Sequence, residues 1–268
     1  MILKHILITG ATGAIGSALA LEYACPERRI TLHGRRTDRL EQVAGQCRAM
    51  GAHTHIRALD LRDRRALRLW LAQVCEDSIP DLVIINAGLN ADTGSGNEGE
   101  KPEEAEALVE VNLLAAMAAV DSVLPHMRKR GSGQIAFMSS LAARLGLPFT
   151  PTYCATKAAL KIYGEALRGW LAPEGIRVNV IMPGYVSSPM CDAMPGPKPF
   201  LWTPQRAART IRKGLERNRA GISFPFPLNL GVWALSVLPF CLAMPIARMF
   251  GYDSRPCRGN GGRGGHEC

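Results

Sequence analysis

The chain has 268 residues, 47% of them hydrophobic and 21% charged, with a net charge of +9. These are the proportions of a globular protein with ample length for a core, and they exclude a wholly disordered or collagen-like chain. The positive balance suits phosphate groups, an anionic membrane surface or simply a solvated arginine-rich exterior, but no interleaving of basic and aromatic residues points to nucleic acid.

In chain order, β-rich runs fall at 4–9, 29–33, 55–59, 81–86, 134–138, 177–181 and 221–224. Helical patterns between them begin near Ala14, Asp38, Asp63, Pro102, Pro151 and Pro204. This alternation predicts a doubly wound α/β fold, one parallel sheet with helices on both faces. Asp38 and Asp63 read as helix-start residues, and Pro204 suits a first turn. Residues 90–100 read as a polar loop, and the proline-rich run 190–202 as a mobile segment over a site.

The first strand leads into Thr9-Gly10-Ala11-Thr12-Gly13-Ala14-Ile15-Gly16 and then the first helix. Glycine there permits a tight turn and lets backbone N–H groups approach a pyrophosphate at the helix N-terminus. The second strand ends His33-Gly34-Arg35-Arg36, without the acid that an NAD site uses for the ribose hydroxyls. Two arginines could instead hold a 2′-phosphate, so NADP is expected in preference to NAD. Asp60-Leu61 after the third strand could contact adenine. Asn86-Ala87-Gly88 after the fourth could bring backbone to the cofactor, and either could equally be a strand-ending turn.

Tyr153 and Lys157 are four residues apart, thirteen residues after Ser140. On a helix they share a face. An ammonium beside a phenol is expected to lower a pKa that is normally about 10. Such a phenol can exchange a proton with a substrate oxygen that Ser140 also hydrogen-bonds.

With these pieces in order, the chain resembles the short-chain dehydrogenase/reductase family over about residues 1–225. The matching positions are the glycine turn, Asp60-Leu61, Asn86-Ala87-Gly88, Asn112, Ser139-Ser140, Tyr153 with Lys157, and Pro183-Gly184. The resemblance implies a Rossmann-like sheet and a reaction interconverting a carbonyl and an alcohol by hydride transfer. It implies Tyr153 as general acid/base, Lys157 as its partner and ribose anchor, and Ser140 as the carbonyl-polarising hydroxyl. Asn112 would anchor a water relaying protons through Lys157, and Pro183, Gly184, Val186 and Ser188 would touch the nicotinamide. A homodimer or homotetramer through the 102–130 and 151–171 helices is also implied. The family's short branch has glycine where Ala14 stands; the Gly10, Gly13, Gly16 spacing looks like the extended branch acting on nucleotide sugars. An epimerase or dehydratase, or a non-catalytic NADP-binding scaffold, are the alternatives.

Residues 228–250 are strongly apolar and interrupted by Pro239 and Pro245. They follow an expected catalytic domain over 1–227. Three readings stay open: a lid or subunit contact, a membrane-interface segment, or a span. A small-molecule substrate of hydrophobic, lipid-like character is expected from this composition. Residues 251–268 are Gly/Arg-rich and are expected to be disordered. The eight cysteines make no C-x-x-C pair and there is no H-E-x-x-H; Cys257, His266 and Cys268 are too isolated to suggest a metal. Residues 1–8 are too short for a secretory signal, so a reducing cytosol is expected, with or without membrane attachment.

Overall fold

The computed structural model describes residues 3–93, 99–194 and 196–249. The expected tail disorder at 251–268 lies outside these residues. Seven strands form one parallel sheet: β1 (His5–Ile8), β2 (Arg29–Gly34), β3 (His53–Ala58), β4 (Leu82–Ile85), β5 (Gly133–Met138), β6 (Ile176–Pro183) and β7 (Gly221–Phe224). Their order is β3-β2-β1-β4-β5-β6-β7. All seven predicted strands are present, with ends shifted by two residues at most.

Parallel strands buried on both faces need apolar side chains at every position, alternating between two cores. Ile6 and Ile8 of β1 enter one core, with α1 (Ala14–Tyr23), α2 (Thr37–Ala49) and α8 (Pro204–Glu216) above them. Leu7 enters the other, under α3 (Arg64–Asp77), α5 (Ala115–Arg130) and α6 (Pro151–Leu171). Val83 and Ile85 alternate with Leu82 and Ile84 in the same way.

The helix starts follow local chemistry. The Asp63 carboxylate accepts a hydrogen bond from Ala66 N at the head of α3, while Asp38 lies one residue inside α2 and Arg36 occupies the cap position. Prolines open α4 (Pro102–Leu108), α6, α7 (Pro189–Ala193) and α8, where a missing N–H costs nothing. The stretch 102–130 is not one regular helix. A π-helical turn, Val109–Leu114, separates α4 from α5 and carries Asn112. Gly131, left-handed at φ 70°, ends α5.

Strand order reverses between β1 and β4, so the chain leaves their carboxyl ends in opposite directions and a crevice opens there. The glycine turn follows β1 and Asn86 follows β4, one on each side. The 228–250 segment forms α9 (Leu228–Val237) and α10 (Phe240–Met249), broken at Leu238 and Pro239. Each has ten residues, whereas a bilayer span takes about 20. The one described helix long and apolar enough to cross a membrane is 102–130, half of whose apolar window is buried in the core.

Candidate active site

The crevice is a cleft of about 820 Å³, and every sequence-predicted site residue lines it except Asn112. At its cofactor end, two glycines are required by packing. Gly10 has φ 66°, and a Cβ there would sit 2.7 Å from Ala87 Cα. A Cβ at Gly16 would overlap the Gly10 carbonyl and stand 2.8 Å from Asn86 Nδ2. Gly13 is different: its backbone is extended at φ −80°, and a Cβ would meet only Gly10 O at 3.4 Å. The Gly10/Gly13/Gly16 spacing therefore carries no structural demand at its middle position, and Ala14 fits as the first residue of α1.

Asn86 staples the turn to the sheet. Its amide donates to Thr9 O and Gly10 O, both at 3.0 Å, while Thr9 Oγ1 accepts from the N–H groups of Asn86 and Ala87. At Gly13 no side chain caps the first turn of α1, where Ala14, Ile15 and Gly16 face the cleft. Helix N–H groups left open beside a closely packed backbone are a cradle for a dinucleotide pyrophosphate.

At the far end of this region Arg35 and Arg36 are exposed, line the cleft, and form no ion pair among the described residues. Sequence reasoning missed Arg62, which grips Asp60 through Nε at 2.9 Å and a second nitrogen at 2.6 Å. That guanidinium holds the Asp60 carboxyl below its usual range. The Asp60-Leu61-Arg62 spacing was the available signal. His33 was also missed. Its Nε2 bonds Leu59 O at 3.0 Å and its ring lies 5.4 Å from Trp70, and burial pushes its pKa down to about 4. It is neutral, and it braces the turn without adding charge. The three arginines suit a ribose carrying a phosphate.

The serine, tyrosine and lysine meet at the carboxyl end of β5. Ser140 caps a short 3₁₀ turn, its Oγ accepting from Ala142 N at 3.2 Å and donating to Pro183 O at 3.5 Å, and it lines the same cleft as Tyr153. Ser139 points away: its buried Oγ donates to Lys157 O at 2.7 Å. Lys157 Nζ lies 5.5 Å from the Tyr153 ring centre and donates to Met138 O at 2.8 Å.

The electrostatics correct one expectation. Tyr153 is not drawn towards neutrality here. Burial pushes it up to about 12, against a smaller downward pull from the Ser140 hydroxyl. Burial likewise brings Lys157 down to about 8. Loss of hydration is the largest cause at both groups, because it disfavours the phenolate and the ammonium alike.

Asn112 lies behind the cleft wall. Its Oδ1 accepts from Leu89 N at 2.7 Å, and its Nδ2 donates to Leu89 O at 3.0 Å and Thr156 Oγ1 at 3.2 Å. The amide clamps the chain leaving β4 to α6. Gly88 bridges it to the lysine: a Cβ there would stand 3.2 Å from both Asn112 Oδ1 and Lys157 Nζ.

The other end of the cleft is apolar. Leu141, Leu145 and Leu147 come from the β5–α6 connection, Met190 and Met194 from α7 and its exit, and Leu228, Val232 and Leu235 from α9. Pro183, Gly184 and Val186 form the floor after β6, and Ser188 Oγ caps α7 by accepting from Cys191 N at 3.1 Å. The segment after α7 is tied down at its end, where Trp202 bridges to Val186 and stacks on Phe224 at 5.0 Å. A place for α9 on the cleft wall is what the lid reading of residues 228–250 expects.

A family model described as short chain dehydrogenase matches residues 4–196. An uncharacterized oxidoreductase of Myxococcus xanthus is 34% identical over 238 residues, 88% of this chain and 93% of that protein. 17-beta-hydroxysteroid dehydrogenase 13 of Rattus norvegicus is 28% identical over 85% of this chain and 77% of its own. Among solved structures, a short-chain dehydrogenase from Sphingobium yanoikuyae in complex with NADPH superposes with a TM-score of 0.76 at 23% identity, over 96% of this chain and 98% of that one. The chain belongs to the short-chain dehydrogenase/reductase family.

Proposed function

We propose that this short-chain dehydrogenase/reductase is an NADPH-preferring carbonyl reductase acting on an apolar ketone or aldehyde, and running as an alcohol dehydrogenase in reverse. The observation that carries this reading is that Ser140, Tyr153 and Lys157 line one cleft together, with Lys157 Nζ 5.5 Å from the Tyr153 ring, where the cofactor cradle meets the apolar end. NADPH, when bound, supplies the hydride. Gly10 and Gly16 would allow the backbone approach to its pyrophosphate, and Arg35, Arg36 and Arg62, which line the same cleft, would hold its 2′-phosphate.

Tyr153 holds its proton at neutral pH, since burial keeps the phenol near 12, and donates it to the substrate oxygen as that oxygen becomes an alkoxide. Ser140 is placed to bind the same oxygen and orient the carbonyl. Lys157, charged just below its pKa of about 8, holds the ribose and supplies the positive charge that steadies the resulting phenolate. Asn112 keeps Leu89 and α6 in register beside the ammonium. The leucines and methionines of the far wall exclude water and favour a hydrocarbon body on the substrate.

The exposed Ile162 and Trp170 of α6 support a homodimer or homotetramer through that helix. The six described cysteines are free thiols, as suits a reducing cytosol. Tyr153→Phe tests the assignment. Turnover should fall by about 10²–10⁴-fold with NADPH affinity kept, because a positioned acid contributes that much; near-normal turnover would refute it.

A further inference from the structure

Helix α9 is apolar on two opposite faces, and the protein covers one of them. Leu228, Val232 and Leu235 recur at i, i+4 and i+7 and line the substrate end of the cleft. Leu228 and Val232 also pack against Leu141, Val180 and Met182. Leu230, Trp233 and Val237 lie on the far side of the helix and are 51%, 49% and 64% exposed. The bare surface continues past Pro239 through Phe240, 76% exposed, and Leu242, 54% exposed. Meanwhile Ala243, Met244 and Ala247 fasten α10 inward. A helix that is apolar all round calls for an apolar neighbour on both sides.

The chemistry of the bare face selects its neighbour. Arg248 is the only charged residue from 220 to 249. The Asn229 amide is spent on Ser223, and the Ser236 hydroxyl on the carbonyl of Trp233. A protein partner normally brings about one hydrogen bond per 100–200 Å² and a polar rim, which this face cannot answer. A lipid surface asks for neither. Tryptophan among aliphatic side chains belongs at the headgroup level of a bilayer, and an exposed Arg248 that forms no ion pair among the described residues favours anionic lipid.

We propose that the outer face of α9, continued by the start of α10, docks on an anionic lipid surface, leaving α9 as the partition between bilayer and cleft. A lipid-dissolved carbonyl compound then reaches Tyr153 by passing α9, not by crossing water. This second half rests on the carbonyl-reductase reading; the docking does not.

The test uses the full-length protein and vesicles of mixed phosphatidylcholine and phosphatidylglycerol. In flotation, wild type rises with the vesicles, and Leu230→Gln/Trp233→Gln/Val237→Gln loses about tenfold or more of its partitioning while keeping NADPH affinity and circular dichroism. Should that variant misfold, Trp233→Phe decides: wild-type tryptophan emission shifts to the blue on vesicles, and this variant floats without that part of the shift. Wild type that stays in solution overturns the docking. So does a wild-type dimer that the triple variant converts to monomer, which would make a second copy the occupant. For the partition, a long-chain ketone carried in vesicles is reduced faster by wild type. The triple variant loses that acceleration and keeps its rate on a short water-soluble ketone; an acceleration retained by the variant overturns lateral entry. Failure to reduce any ketone would count against the reductase reading and leave the flotation result standing.

Discussion

Raising the pH from 7 to 9 should disarm the free enzyme through Lys157, not through Tyr153. At a pKa of about 8, about nine in ten Lys157 side chains are charged at pH 7 and about one in ten at pH 9. Tyr153, near 12, keeps its proton throughout this range. If the ammonium is required to bind the ribose and steady the phenolate, kcat/KM for NADPH at saturating ketone falls about tenfold over those two units, since this parameter reports groups of the free enzyme. The fall in kcat should come at higher pH, because the negative charge of bound cofactor favours the ammonium. Initial rates followed by NADPH absorbance across this range would give both limbs. Lys157→Arg, which cannot lose its charge, should have a lower rate but no limb near 8. A wild-type kcat/KM that stays flat to pH 10, or a limb that persists in Lys157→Arg, would refute the reasoning.

The same burial predicts a trade of stability for function. Lys157 titrates at about 8 when folded, against an ordinary lysine value of 10.5, so its burial opposes folding most at pH below 8, and the penalty fades as pH rises towards 10.5. Lys157→Met should therefore be more stable than wild type at pH 7, by on the order of 3 kcal/mol less the lost bond to Met138, with the gain shrinking at pH 10; urea midpoints at the two pH values check this. Gly16→Ala should destabilise the fold by about 1–3 kcal/mol or more, because its methyl would overlap the Gly10 carbonyl, whereas Gly13→Ala should cost little; thermal melts of the pair would separate the two roles. Arg35→Glu with Arg36→Glu should cut NADPH affinity by tenfold or more while leaving NADH affinity within about a factor of three, as expected when charge-assisted bonds to a phosphate are lost.

Much of the fold was legible because each element declares itself locally. Buried parallel strands must be apolar at consecutive positions, as in Leu82–Ile85, and prolines and Asp63 mark helix starts whatever the tertiary context. The Tyr153–Lys157 spacing was legible for a similar reason: a helix fixes the relation of the two residues once it forms. Long-range packing was not. Nothing within 109–114 announces a π-helical turn, and the bonds of its Asn112 to Leu89 and Thr156 form only in the folded chain. The pKa of Tyr153 was misjudged because spacing reveals a neighbour's charge but not the depth at which both groups are buried. Arg62 and His33 act through contacts made only after folding. The apolar run at 228–250 showed hydrocarbon but not direction, and only the fold assigns Leu228, Val232 and Leu235 to the cleft and Leu230, Trp233 and Val237 to the outside.

An equilibrium titration of the purified protein with NADPH and NADH, followed by nicotinamide fluorescence, tests the central claim most directly. The account predicts saturable binding of both, with NADPH at least about tenfold tighter through Arg35 and Arg36. Binding of NADH as tight as NADPH would contradict the arginine assignment. Binding of neither would mean that the Gly10–Gly16 cradle with Ala14 does not hold a dinucleotide, and the proposed reductase would fall with it.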